Sequence, residues 1–223
     1  MASTTQLNDA TLAELDERFE REPASAVIRW AVDTFHPRLC ITASMTDAVL
    51  IDLAVQVEPS IEVVFIDTGY HFAETLHTVD VVRERYGLNL RIMRQEPPPT
   101  EPLWKVDPLN CCSAMKVALL EEALQDKDAW MSGLRREETV TRAGAPVVGR
   151  DRRGLVKVNP IATWSDHDVA GYIADHDVPV NPLLRRGYLS IGCAPCTQPA
   201  MDGDDPRSGR WVGSEKTECG LHL

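Results

Sequence analysis

Six cysteines stand in a pattern in this 223-residue chain. Cys111 and Cys112 are adjacent, Cys193 and Cys196 form a CxxC pair, and Cys219 stands alone in a Glu-Cys-Gly-Leu-His stretch. Two close pairs of thiols suit a metal centre. A CxxC loop lets two thiolates converge, and Pro195 stiffens it. The side chains of adjacent cysteines diverge, so Cys111 and Cys112 reach two metal atoms more comfortably than one tetrahedral zinc ion. A [4Fe–4S] cube offers separate irons, each taking one thiolate. The residues therefore rank such a cluster first, a structural zinc second and unligated thiols third. Lys116 follows Cys112 by one helical turn on the same face, where it offsets thiolate charge and faces an anionic ligand. Cys219, flanked by Lys216, Glu218 and His222 and followed by Gly220, has the surroundings of a nucleophile, because nearby cations favour the reactive thiolate. Taken alone it would read as an exposed thiol. Cys40 falls in an apolar run and reads as a core residue.

The charge distribution narrows the ligand. The net charge is −11, which argues against a nucleic-acid coat. Residues 1–130 carry 11 basic and 22 acidic side chains, whereas residues 131–223 carry 12 of each. Arginines of the second part come in groups: Arg135 and Arg136; Arg150, Arg152 and Arg153; Arg185 and Arg186; Arg207 and Arg210. Grouped arginines in an acidic chain suit a small anion, although any one pair alone reads as solvated surface. No stretch is apolar for the length of a membrane span, and the polar, acidic beginning of the chain lacks a signal-type apolar run. The expectation is a cytoplasmic protein whose cysteines serve metal binding or catalysis rather than disulfides. A homo-oligomer is an arrangement the sequence leaves open.

Strands alternating with helices must position these residues. Helices are predicted from Asn8 or Asp9 to about Glu20, from Ala24 to Thr34, from Ala48 to Val57, and up to about Tyr86. Buried strands are predicted at Arg38–Thr42, Ile61–Ile66, Leu88–Met93 and Ala129–Gly133, with a further one at Leu155–Val158. The run from Glu96 to Pro108 holds five prolines and is predicted as loop. Asn110 is predicted to cap a helix that carries Cys111 and Cys112 in its first turn and runs to Leu124. Ser165 caps another, Asp166–Asp175. This alternation implies βαβ units and a parallel, Rossmann-like α/β sheet. The expected organisation is an α/β domain with N-terminal helices over 1–178. Residues 179–223 form an irregular C-terminal extension carrying the CxxC loop and the Cys219 tail.

Ligands of such sheets sit at the carboxyl ends of the strands. Two loops lie there. Thr42-Ala43-Ser44-Met45-Thr46-Asp47 offers hydroxyls and backbone N–H groups at a helix start, with Thr42 and Ser44 as candidate contacts. Asp67-Thr68-Gly69 closes the next strand. Neither is a Walker A loop or a GxGxxG fingerprint, and each alone reads as a helix cap or a turn.

From about Thr42 to His222 the chain resembles the assimilatory adenylylsulfate (APS) reductases within the APS/PAPS reductase family. The motifs are Cys111-Cys112 with Lys116, the Asp67-Thr68-Gly69 turn and Gly133-Leu134-Arg135-Arg136-Glu137. Arg186-Gly187-Tyr188 leading to Ile191 through Thr197, and Glu218 through His222, complete them. Asp205 through Trp211 is similar to actinobacterial members in particular. The resemblance implies an adenine-nucleotide α-hydrolase-like fold. It implies one [4Fe–4S] cluster on Cys111, Cys112, Cys193 and Cys196 that does not pass electrons in turnover. It further implies attack of Cys219 on the sulfur of APS, release of AMP, and reduction of the resulting S-sulfocysteine by thioredoxin to give sulfite. Arg135, Arg136, Lys116, Arg207 and Arg210 are the expected screens of substrate charge, with His222 helping to hold the tail. APS is favoured over PAPS because members with the cysteine pairs mostly prefer it. Relatives often carry arginines where this chain has Ser113 and Met115, and Ser-x-Ser-Gly where it has Thr42-Ala43-Ser44-Met45. Rival readings are a PAPS reductase, a metal- or redox-sensing binding module, and a tRNA sulfur-transferase. The acidic balance speaks against the last.

Overall fold

β1, Leu39–Ala43, lies between β2, Glu62–Asp67, and β4, Ala129–Ser132, and is parallel to both. β3, Asn89–Arg94, flanks β2, and β6, Val156–Val158, flanks β4, again in parallel. β5, Val148–Arg150, completes the sheet as an antiparallel edge, giving the order β3-β2-β1-β4-β6-β5. This is a computed structural model, and it describes residues 7–96, 101–200, 205–212, 216 and 218–220. Successive strands run outward from β1 to β3, and the chain then returns to β4 on the other side of β1. The sheet therefore has its topological switch between the carboxyl ends of β1 and β4, where loops diverge and leave a crevice.

The period-two alternation of buried strands divides the core. Leu39 and Ile41 of β1 face a large cluster with Val27, Ile28 and Ala31 of α2 (Ala24–Phe35). Val49 and Ile51 of α3 (Val49–Val55), and Val79 and Val82 of α4 (Ala73–Tyr86), belong to the same cluster. Cys40, Val64 and Trp130 face the opposite side. There they pack on Leu119, Leu120 and Ala123 of α7 (Ala118–Ala123). Cys40 is a core thiol as expected, and burial pushes its pKa up to about 12. Helices thus cover both faces, as a parallel sheet requires. Among the described residues no helix is long and apolar enough to cross a membrane.

β5 is not foreseen in the sequence. Its pairing depends on α1, Asp9–Phe19. Asp16 on that helix accepts hydrogen bonds from the Val147 and Val148 backbone N–H groups at 2.7 and 3.1 Å. The Arg150 guanidinium donates to Asp9 at 2.9 Å. The helix therefore satisfies the outer edge of the sheet, which would otherwise present open donors.

The segment before the cysteine pair also departs from expectation. A short helix, α5 (Leu103–Val106), interrupts the predicted loop, whose residues 97–100 lie outside the described ones. Asp107, not Asn110, caps the next helix: its carboxylate accepts from the Asn110 N–H at 3.2 Å, and Pro108 occupies the first turn. α6 then runs only from Pro108 to Cys112. A π-helical turn, Ser113–Val117, joins it to α7. Such turns widen the helix locally and recur at functional sites. The last helix, α8 (Asp166–His176), has the predicted Ser165 cap, closed reciprocally by Asp168.

Candidate active site

The two cysteine pairs meet. Cys111, Cys112, Cys193 and Cys196 line one pocket together with Thr68, Lys116, Arg210 and Trp211. Burial pushes the Cys111 thiol up to about 11, and the other three thiols act in the same direction. Burial likewise raises Cys196, with Cys193 and Cys112 adding to it. Thiols held this high stay protonated near neutral pH unless a metal takes them. Among the described residues no three Cys, His, Asp or Glu side chains are gathered as a single metal ion requires.

The turn after β2 holds the CxxC loop in place. Asp67 accepts from the Gly69 N–H at 2.8 Å, which sets the turn, and from Arg94 Nε at 3.1 Å. Burial works to raise the Asp67 pKa, but the Gly69 bond and the Arg94 guanidinium outweigh it and hold the carboxyl below its ordinary value. Thr68 Oγ1 lies 3.2 Å from Cys193 Sγ. The Ala194 N–H donates to the Tyr70 carbonyl at 2.7 Å, and His71 and Cys193 form an antiparallel bridge. His71, absent from the sequence-based candidates, is half-buried; desolvation pushes its ring to a lower pKa, and Nε2 lies 3.0 Å from the Ile66 carbonyl oxygen. On the other side of this turn a second pocket opens at the ends of β2 and β3, lined by Asp67, Gly69, His71 and Arg94.

Cations approach the thiols from two directions. Lys116, on the π turn, is 9% exposed and lines the thiol pocket. Arg210 comes from the turn spanning Arg207 to Trp211. That turn is pinned to the CxxC loop by bonds from Gln198 N to Gly209 O (2.8 Å) and from Trp211 N to Cys196 O (3.0 Å). A Cβ on Gly209 would strike the Gln198 carbonyl, so that position needs glycine, and one on Gly192 would displace the Arg210 guanidinium. Arg210 lies 4.4 Å from the Trp211 ring centroid and donates to Ser190 Oγ at 3.2 Å. Burial lowers its pKa, and Arg207 nearby lowers it further, while Cys219, Cys193 and Cys112 oppose the shift. Arg210 thus feels the charge of the tail cysteine and of one thiol from each pair.

The tail returns to this site. Lys216 Nζ donates to the Leu109 carbonyl at 3.0 Å, and Gly220 sits against Val117 of the π turn. The Glu218 carboxylate meets Arg142 Nε at 3.2 Å and Arg207 Nη2 at 3.1 Å. Cys219, between them, is half-buried. His222 lies outside the described residues.

Two predicted contacts go elsewhere. Arg135 donates to Asp166 of α8 at 2.6 Å, although its charge still reaches Asp47. Arg136 pairs with Glu20 at 3.0 Å and with the Ala145 carbonyl at 2.7 Å. Both are tied to fold-holding partners rather than brought to the thiol pocket. Arg142, seven residues past Arg135, is the arginine of that loop that joins the tail; no spacing in the sequence distinguishes it. In the loop after β1, Thr42 is half-buried at the end of the strand, opposite Ser132. Ser44 is exposed, with its hydroxyl 3.3 Å from Thr46 Oγ1. Met45 is fully buried with φ +59°. That left-handed backbone is one a non-glycine residue rarely adopts.

A mostly parallel sheet with a thiol pocket at the turn after β2 defines the class: an α/β protein of the adenine-nucleotide α-hydrolase-like type. The model of the phosphoadenosine phosphosulfate reductase domain matches residues 38–199, and the chain belongs to that family. It is 46% identical to adenosine 5'-phosphosulfate reductase of Streptomyces coelicolor over 98% of this chain and 96% of the relative. The crystal structure of phosphoadenylyl-sulfate (PAPS) reductase from Candida auris, a phosphate complex, has a TM-score of 0.77 and 28% identity, covering 86% of this chain and 98% of that one. FMN adenylyltransferase of Candida glabrata shares the fold alone, at 14% identity and TM-score 0.60, over 91% of this chain and 78% of its own.

Proposed function

We propose that this protein reduces adenylylsulfate to sulfite and AMP in sulfate assimilation, with a thioredoxin-type dithiol as reductant. The observation that carries the reading is one pocket that gathers both cysteine pairs with Lys116 and Arg210, while the Cys219 tail runs beside it, with Gly220 against Val117 of the π turn. The nucleoside end enters through the loops after β1 and β2, with Thr42, Ser44, Asp67, Thr68 and Gly69 lining its path. Lys116, Arg207 and Arg210 face the phosphosulfate, and His222 helps to hold the tail. Residues 179–223 act as the extension that brings the nucleophile.

The Cys219 thiolate attacks the substrate sulfur. An S–S bond forms, the bond from sulfur to the bridging oxygen breaks, and AMP leaves with the electron pair. Buried cations screen the approach of two anions and stabilise charge on the leaving oxygen. A thiolate of the reductant then attacks Cys219 Sγ and expels sulfite; its second thiol resolves the mixed disulfide and regenerates Cys219. Electrons thus come from the dithiol, which suits a cytoplasmic protein.

Cys111, Cys112, Cys193 and Cys196 are a donor set that fits a [4Fe–4S] cluster. They line one pocket, and each iron of a cube takes one thiolate. When bound, such a cluster supplies a rigid charged core beside the sulfate end. Anaerobically purified protein is expected to hold about four irons and about four sulfides per chain. One zinc instead overturns this assignment.

The reaction is tested by incubating the protein with APS and no reductant, then weighing it intact. The expected result is a sulfonate-sized adduct that Cys219→Ser abolishes; no adduct on the wild type sinks the proposal. Comparing kcat/KM for APS and PAPS separates the two nucleotides, and APS is expected to win.

A further inference from the structure

We propose that Glu218 is a positioning residue: its carboxylate, clasped by Arg142 and Arg207, holds the Cys219 tail over the thiol pocket. The proposal deepens the reading above and rests on it for the role of Cys219. The Glu218 side chain is 9% exposed, and the two arginine side chains are 11% exposed. Arg142 meets Glu218 with both Nε (3.2 Å) and Nη2 (3.3 Å), one to each carboxylate oxygen. Arg142 also donates to Glu138, so two carboxylates and two guanidiniums alternate in one chain. Thr141 Oγ1 adds a longer contact at 3.4 Å.

The clasp sits where it controls the nucleophile. Glu218 directly precedes Cys219, so fixing its carboxylate leaves the thiol only a few rotations. Its partners belong to different elements: Arg142 to the loop after β4, Arg207 to the turn packed on the CxxC loop. The clasp therefore registers the tail at once against the loop after β4 and against the turn packed on the CxxC loop. Other contacts of the described tail include Lys216 Nζ on the Leu109 carbonyl and Gly220 against a valine methyl. Charge-assisted bonds of a buried, bidentate arginine are the strongest single tie available to such a segment. The chemistry needs both a docked and a released tail, because Cys219 attacks inside the pocket and afterwards meets a protein reductant. A single clasp beside the nucleophile provides one point at which that exchange is decided.

The test uses the metal-loaded protein without nucleotide or reductant, so its outcome does not depend on the proposed reaction. The rate of alkylation of Cys219 by iodoacetamide is followed by peptide mass. Glu218→Ala is expected to speed it at least about tenfold, since removing one partner of a buried pair leaves uncompensated charge and opens the tail. Glu218→Gln keeps the shape and serves if the alanine variant fails to fold; an intermediate increase is expected. Single-turnover adduct formation from APS is expected to fall in rate with KM little changed, while release of sulfite from preformed adduct by thioredoxin is not slowed. Equal alkylation of wild type and both variants overturns the clasp. If alkylation rises but no variant or wild type forms an adduct, the clasp stands and the proposed reaction falls.

Discussion

Thr68 Oγ1 lies 3.2 Å from Cys193 Sγ, and this contact ties the turn after β2 to the CxxC loop across 125 residues of sequence. Replacing the hydroxyl by a methyl keeps volume and β-branching but removes the only polar atom of the side chain. The same oxygen accepts from the Tyr70 N–H at 3.3 Å, so Thr68→Val is expected to lower the unfolding free energy by about 1–3 kcal/mol, the net worth of two such bonds. Urea denaturation with an unchanged slope reads it.

Met45 tests the loop after β1. Left-handed backbone costs a non-glycine residue roughly 1–2 kcal/mol, so glycine there would relieve strain. Yet Met45 is fully buried, and removing a buried side chain of that size costs about 2–5 kcal/mol. Burial wins on these magnitudes. Met45→Gly is expected to lower the melting temperature, and an increase would show that backbone strain dominates.

Lys157 carries a pH signature. Burial, reinforced by the charge of Arg142, pushes its pKa down to about 8, with Asp151 opposing. An unfolded lysine titrates near 10.4. Below about pH 8 the folded state therefore holds a charge that its surroundings disfavour, and this penalty fades as pH rises toward 10.4. Lys157→Met is expected to be more stable than wild type at pH 7 by about 1–3 kcal/mol, with the gap narrowing by pH 10. Parallel chemical denaturation at the two pH values measures it.

Asp67 behaves in the opposite sense. Its folded pKa lies below the ordinary carboxylate value, so its contribution is complete above that value and is lost as pH falls through the folded pKa. Asp67→Asn is expected to be less stable than wild type at pH 6, and the difference to shrink as pH drops to about 3. The Arg94 side chain is 57% exposed, so added salt reduces part of the effect.

The buried cations should act on the chemistry rather than the fold. Lys116→Met and Arg210→Met are each expected to reduce kcat/KM for APS by about 10²–10³-fold, the range found when one preorganised charge partner is removed. Arg136→Met is expected to leave kcat/KM within a fewfold and to lower stability instead, because its partners are Glu20 and a backbone carbonyl. Steady-state kinetics beside thermal melts separates the two outcomes.

Much of the architecture was legible because it rests on local signals. The four central strands are short apolar runs between turn residues, and α1 and α8 announce themselves by their Asn8 and Ser165 caps. β5 was not legible: Val-Gly-Arg is too short to carry a period, and its outer edge is satisfied only by Asp16 of a distant helix. The π turn was hidden for a related reason, since its sequence has ordinary helical propensity and packing sets the widened turn. Among site residues, cysteines betray themselves by rarity and spacing, whereas arginines are common and identical in type whether they bind carboxylates of the fold or face a pocket.

The sequence by itself determined the alternation of strands and helices, the two thiol pairs, the lone tail cysteine and the acidic first half beside a balanced second half. These follow from residue type and near-neighbour spacing. Only the tertiary structure decided that Cys111 and Cys193 share one pocket and that Arg210, rather than Arg136, stands beside the thiols. It also decided that Glu218 is gripped from two sides. Those pairings depend on which distant side chain reaches a buried charge or thiol first, and that is set by packing, because an unpaired charge in the interior is too costly to leave.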